Sequence, residues 1–186
     1  MSKQSTRRSV LRGQARRKKS NTAGKKRGMR ADGREFPDFP RVGVGAVVLH
    51  RGHVLLVRRG QEPLKGRWSL PGGLVERGEA LAHAVWRELK EETGLNIEPL
   101  EVIGVFERIE RDPKSARRVR YHYVIIDYVC RLRRAGRARS KPPATRPASD
   151  ITAAEWAEIG KLNPYGLTAL AEEVIHKAVS WVTETP

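Results

Sequence analysis

Glu88, Glu91 and Glu92 stand within five residues of one another, in a run whose other positions read as helix. An α-helix turns about 100° per residue, so with Glu88 at zero, Glu91 falls near −60° and Glu92 near +40°. The three acids therefore share an arc of about 100° on one face. Like charges at that spacing destabilise a helix unless a cation neutralises them. Carboxylate oxygens are hard ligands, which makes Mg²⁺ the natural counterion and Mn²⁺ its substitute. Such a cation held by carboxylates is suited to diphosphate chemistry, where it can neutralise charge and activate water. Arg87 lies four residues before Glu91 and can pair with it, or reach back to Glu79. A lone Glu-Glu pair would more simply be the solvated face of an acidic amphipathic helix.

The surrounding residues must position these acids. Val85, Leu89, Ala82 and Trp86 fall on the neighbouring arc, from about 60° to 160°, and are expected to pack on a sheet. Pro71-Gly72-Gly73 lets the chain turn tightly and bring its backbone close to a metal or phosphate. Gly94 sits where a helix-ending glycine belongs. The pattern predicts strands at 42–49 and 54–57 joined by a turn, a short strand at 67–70, and a helix over 80–92. Further strands are expected at 102–106 and 121–130, with 110–120 as the loop between them. Residues 131–149, rich in Arg, Pro, Ala and Ser, read as a flexible surface loop. A last strand at 154–159 and a helix at 167–180 complete an α+β sandwich.

Composition sets the outer bounds. The 186 residues suit one globular domain and carry a formal charge of +16. That charge is uneven: residues 1–35 hold 13 of the 37 Lys and Arg but two of the 21 acids. Residues 1–35 are therefore expected to be a disordered basic tail, because they have too little apolar surface to order themselves. Met29 offers an alternative start that would leave residues 1–28 outside the native protein. The single cysteine, Cys130, excludes an internal disulfide and a thiolate zinc site. No apolar run reaches the ~18 residues needed to span a membrane. A faint twin-arginine pattern at Arg7-Arg8 lacks the apolar segment of an export signal, so a cytoplasmic protein, monomer or homodimer, is expected.

Gly73, Glu79, Arg87-Glu88, Leu89, Glu91-Glu92, Gly94 and Leu95 together match every defined position in the signature of the Nudix hydrolases. The resemblance covers about residues 40–182 and implies a Nudix domain over 36–186, with a mixed β-sheet between α-helices (α/β/α). It implies metal binding by Glu88, Glu91 and Glu92, with the carbonyl of Gly73 as a further ligand. It implies a Glu79–Arg87 ion pair that holds the loop–helix geometry. The base that takes the proton of the attacking water varies in the family. Glu88 is one candidate and Asp150 another, although Asp150 can equally be a polar residue at a strand start.

The substrate is less legible. The Val-Gly-Val-Gly-Ala-Val-Val run, the Trp-Ser-Leu-Pro-Gly-Gly run and the Tyr-Gly-Leu-Thr segment resemble bacterial ADP-ribose-pyrophosphatase-like Nudix proteins. The post-box prolines of one ADP-ribose subgroup and the motifs of the NADH and coenzyme-A subgroups are absent. Trp68, Phe106, Tyr121 and Tyr123 could stack on a base or simply fill the core. Arg58 and Arg59, like Arg117, Arg118 and Arg120, could meet phosphates or remain solvated. The expected activity is cleavage of a diphosphate linkage in an ADP-ribose-like nucleotide. The alternatives are a nucleoside triphosphate pyrophosphohydrolase, and an RNA 5′-end pyrophosphohydrolase that uses the basic tail as a weak nucleic-acid tether. A non-catalytic nucleotide-binding regulator would lack the reason for an intact acidic box. It would also be expected to carry a winged-helix domain, for which the residues after Ile159 are too few.

Overall fold

A computed structural model describes residues 34–133 and 142–184. Strand β1 (Arg41–His50) is central to the sheet, and β2 (His53–Arg59) returns from it through a turn at Arg51-Gly52. Two short strands follow, β3 (Trp68–Ser69) and β4 (Gly72–Leu74), and then helix α1 (Leu81–Thr93). Strands β5 (Ile97–Asp112) and β6 (Ser115–Leu132) form a long antiparallel hairpin. Strand β7 (Ile151–Glu158) pairs with β2, and helix α2 (Ala169–Glu184) comes last. The strands run in the order β3-β2-β1-β6-β5, with β4 on β1 and β7 on β2. The sheet is mixed, because β1 and β6 are parallel while the other pairs are antiparallel.

Both faces of the sheet are covered, which is why β1 reads as an almost unbroken apolar run. Val44, Ala46 and Val48 point to one side and pack with Ala84, Val85 and Leu89 of α1. Val47 points to the other side, where Val54, Leu56 and Val129 meet Val174, Ile175 and Ala178 of α2. The expected sandwich is therefore present, with one helix on each face. No helix among the described residues is long and apolar enough to cross a membrane.

Three expectations about elements need correction. Residues 110–120 are not a loop: β5 continues to Asp112 and β6 begins at Ser115. The Asp112 carboxylate accepts the Lys114 N–H at 2.9 Å and closes the turn. The polar residues here belong to a ladder that runs beyond the core, and its tip at 113–118 is exposed. The helix packs on a different arc from the one expected: Ala84, Val85 and Leu89 are buried, whereas Ala82 and Trp86 are exposed. The buried arc runs from about −40° to 100° and so includes the acidic side of the helix. Trp86 instead donates its indole N–H to Asn96 at 2.9 Å.

Residues 131–149 are also more structured than a surface loop. Arg131 and Leu132 end β6, while 134–141 lie outside the described residues. Residues 142–149 run against the end of α1, where the N–H groups of Arg146 and Ala148 donate to the carbonyls of Thr93 and Glu92. Of the basic tail, residues 1–33 lie outside the described residues. Glu35 meets the Arg120 guanidinium at 2.9 Å, and Arg118 lies 3.6 Å over the Phe36 ring.

Candidate active site

The site is built where β4 pairs with β1 beneath α1. Gly73 pairs with Val44 and Gly72 with Gly45. A Cβ on Gly73 would collide with the Glu88 carboxylate, so this glycine lets the backbone lie directly against an acid. The Gly72 N–H donates to Glu92 Oε2 at 3.0 Å. Helix α1 then ends at Gly94, whose φ of 73° is left-handed and whose N–H caps the Lys90 carbonyl. The glycine-rich strand and the helix end thus fix the three glutamates relative to the sheet.

Arg87 ties the loop before α1 to the helix. Its Nε and Nη2 hold both oxygens of Glu79 at 2.8 Å. Nη2 also donates to the Leu74 carbonyl at 3.1 Å, and Nη1 reaches Glu88 at 2.9 Å and Glu91 at 3.4 Å. The guanidinium holds the Glu79 carboxyl down at about 2. His83 Nδ1 lies 2.7 Å from the same carboxylate. The expected Glu79–Arg87 pair is present in this geometry as a bidentate fork.

The other acids face in the opposite sense. Glu92 is buried, and that burial pushes its carboxyl up to about 8; the Gly72 N–H opposes the shift, and the charges of Asp150 and Glu88 add to it. Burial also raises Glu88, with Arg87 opposing and Glu91 and Asp150 adding to the rise. Asp150 comes from the segment before β7, so four carboxylates from two parts of the chain act on one another. As placed, no three His, Cys, Asp or Glu side chains among the described residues stand close enough to hold a metal ion. Arg87 occupies Glu88 and Glu91, and Gly72 occupies Glu92. The donor set still suits a hard divalent cation: oxygen ligands alone, mutually repelling and partly desolvated.

Glu88, Glu91, Asp150 and Gly73 line one cleft of about 680 Å³, within the range of small-molecule sites. Arg59 lines it too, while its Nε donates to the Pro63 carbonyl at 3.1 Å. Arg58 does not reach the cleft, since neighbours on a strand face opposite ways and its Nε is held by the Gly66 carbonyl at 2.9 Å. Trp68 is not a cleft residue either. It packs in the core beneath α2, edge-on to Tyr165 at 5.2 Å. Tyr123, a candidate for stacking on a base, lines the cleft, as do Arg34, Arg108 and Asp127, which sequence reasoning did not single out. Only Asp127 carried a signal, as an acid inside the apolar run Val124-Ile-Ile-Asp127-Tyr-Val-Cys130.

Known proteins resemble this arrangement. The ADP-ribose pyrophosphatase of Methanocaldococcus jannaschii is 43% identical over 76 residues, which cover 41% of this chain and 45% of that protein. The likeness thus spans less than half of that relative's length. The crystal structure of a MutT NUDIX hydrolase from Burkholderia pseudomallei superposes with a TM-score of 0.59 at 28% identity, covering 75% of this chain and 98% of that one. The NUDIX domain of Shewanella oneidensis NrtR, solved with ADP ribose, gives a TM-score of 0.59 at 22% identity, covering 77% and 89%. That second superposition is a likeness of fold. The model of the NUDIX domain matches residues 39–178, most of the chain, and this protein belongs to the Nudix family.

Proposed function

We propose that this chain is a divalent-metal-dependent pyrophosphohydrolase that cleaves the diphosphate linkage of a nucleoside diphosphate derivative, ADP-ribose foremost. The observation that carries the reading is the meeting of Glu88, Glu91 and Asp150 with the Gly73 backbone in one cleft of nucleotide size. Glu88, Glu91, Glu92 and the Gly73 carbonyl would hold Mg²⁺ or Mn²⁺. Such a cation supplies charge neutralisation for the diphosphate. Arg87 orients Glu88 and Glu91 and does not itself bind the metal. Arg59 and Arg108 offer positive charge along the cleft wall. Asp150 or Glu88 takes the proton of the attacking water. The named relative from Methanocaldococcus jannaschii and the ADP-ribose complex of NrtR support ADP-ribose as the first substrate to test.

The test is a nucleotide panel assayed with Mg²⁺ and with Mn²⁺. ADP-ribose should give AMP and ribose 5-phosphate, with no turnover in chelator. Release of pyrophosphate from nucleoside triphosphates, with ADP-ribose untouched, would assign the protein to the triphosphate pyrophosphohydrolases instead.

A further inference from the structure

Asp127 is an acid that the hydrolytic reading leaves unused. It is 5% exposed, in the middle of β6. Strand alternation places it on the α2 side of the sheet, between Ile125 and Val129. Among the described residues no hydrogen bond or ion pair meets its carboxyl, and burial alone acts on it, raising it to about 6. Asp127 lines the cleft, so a group bound there can meet its carboxyl.

Gly45 is its parallel neighbour on β1. The Asp127 carboxyl occupies the space that a Cβ on Gly45 would need. The side chain missing beside the acid thus leaves it room on the floor of the cleft that Gly43, Gly45 and Asp127 all line. Leu170, Ala171 and Val174 of α2 wall the same cleft. Gly72 pairs with Gly45 from the other side, so Gly72 and Asp127 stand two strand spacings apart, roughly 10 Å. The cleft therefore has a charged end at Gly73 and Glu88, and farther in an acid over Gly45 that faces the apolar wall of Leu170, Ala171 and Val174.

We propose that Asp127 is a specificity-determining residue: its carboxyl accepts N–H donors from the edge of an amino-bearing purine bound in the cleft beneath α2. This rests on the reading of the cleft as a nucleoside diphosphate site. A flat base can pack its face on the apolar wall of Leu170, Ala171 and Val174 while its edge meets the acid. A hydrogen bond to a charged acceptor in such a place discriminates strongly, since the analogue without the donor leaves the acid unpaired.

The experiment measures binding and turnover separately. AMP, GMP and purine riboside 5′-monophosphate, which lacks the amino group, are titrated by calorimetry into wild-type protein and Asp127→Ala. The wild type should bind AMP or GMP about ten- to a hundredfold more tightly than the analogue. The AMP and GMP arms tell which amino purine is preferred. Asp127→Ala should bind all three alike, and its melting temperature checks that the variant is folded. Equal binding of the three by the wild type overturns the proposal, and that comparison needs no variant. A preference that survives in Asp127→Ala overturns it as well. The same preference should appear in kcat/KM for the ADP-ribose and purine-analogue diphosphates. Base-selective binding without hydrolysis of any diphosphate would uphold Asp127 and sink the hydrolase reading. Hydrolysis without base selectivity would do the reverse.

Discussion

Arg87 commits every N–H of its guanidinium to the loop and helix that it joins. No lysine can reproduce that fork, since an ammonium is a point charge with three donors. Arg87→Ala and Arg87→Lys should therefore both weaken metal affinity, by about ten- to a hundredfold in the midpoint of a Mg²⁺ titration of activity. An unchanged titration and rate would show that the fork is dispensable. Glu79 gives the same pair a pH signature. Its side chain is 8% exposed and its carboxyl is held at about 2, below the ordinary 4.5. A depressed acid stabilises the fold above its unfolded value and loses that contribution as the pH falls toward its folded value. The stability gap between wild type and Glu79→Gln should thus be full at neutral pH and shrink between pH 4.5 and 2. Denaturant melts across that range would measure it, and a gap that stays constant would contradict the assignment. For the acids themselves, Glu91→Gln and Glu92→Gln should each lower turnover about 10²-fold or more while the far-UV spectrum stays folded. Full activity in either variant would sink the metal-dependent reading.

At the scale of elements, the sequence was most legible where local rules and tertiary packing agree. The glycines of 72–73, the helix over 80–92 and the stop at Gly94 each follow from backbone geometry that few other residues supply. Gly94→Ala tests that logic: its φ of 73° strains any side chain, and the variant should lose about 1 kcal/mol by denaturant midpoint, with the slope unchanged. The arc of α1 was misjudged for an instructive reason. Periodicity alone assigns apolar residues to the core and acids to water, yet Glu92 is buried among the core residues because Gly72 gives it a hydrogen bond. The β5–β6 hairpin was misread because its outer half leaves the core. There Arg111 faces Val119, Asp112 faces Ser115, and residues 113–118 are all exposed, so no apolar alternation marks the strands. Arg58 and Trp68 looked like substrate contacts by residue type. Only strand parity and the packing of α2 decide that Arg59 reaches the cleft and that Trp68 supports the helix.

At the scale of the whole molecule, charge and packing divide the chain unequally. The 13 Lys and Arg of residues 1–35 sit in a stretch almost without large apolar side chains, so it has little with which to dock on a sandwich whose two faces are already covered. The residues that hold the near end of this segment to the domain are Arg34, Glu35 and Phe36, through Asp150, Arg120 and Arg118. Removing residues 1–28 leaves all of these contacts in place. The deletion should therefore shift the melting temperature and the hydrolysis of small nucleotides very little. It should change polyanion binding instead. A cluster of cations releases counterions from a nucleic acid, so the full chain should bind single-stranded RNA or DNA with an affinity that falls steeply as salt rises. The shortened chain should bind more weakly and with a shallower salt slope. Fluorescence anisotropy on a labelled oligonucleotide, at two or three salt concentrations, measures both quantities. Equal slopes for the two proteins would place the nucleic-acid contact on the domain. A large loss of turnover on deletion would mean that the basic segment takes part in the site and is no mere tether.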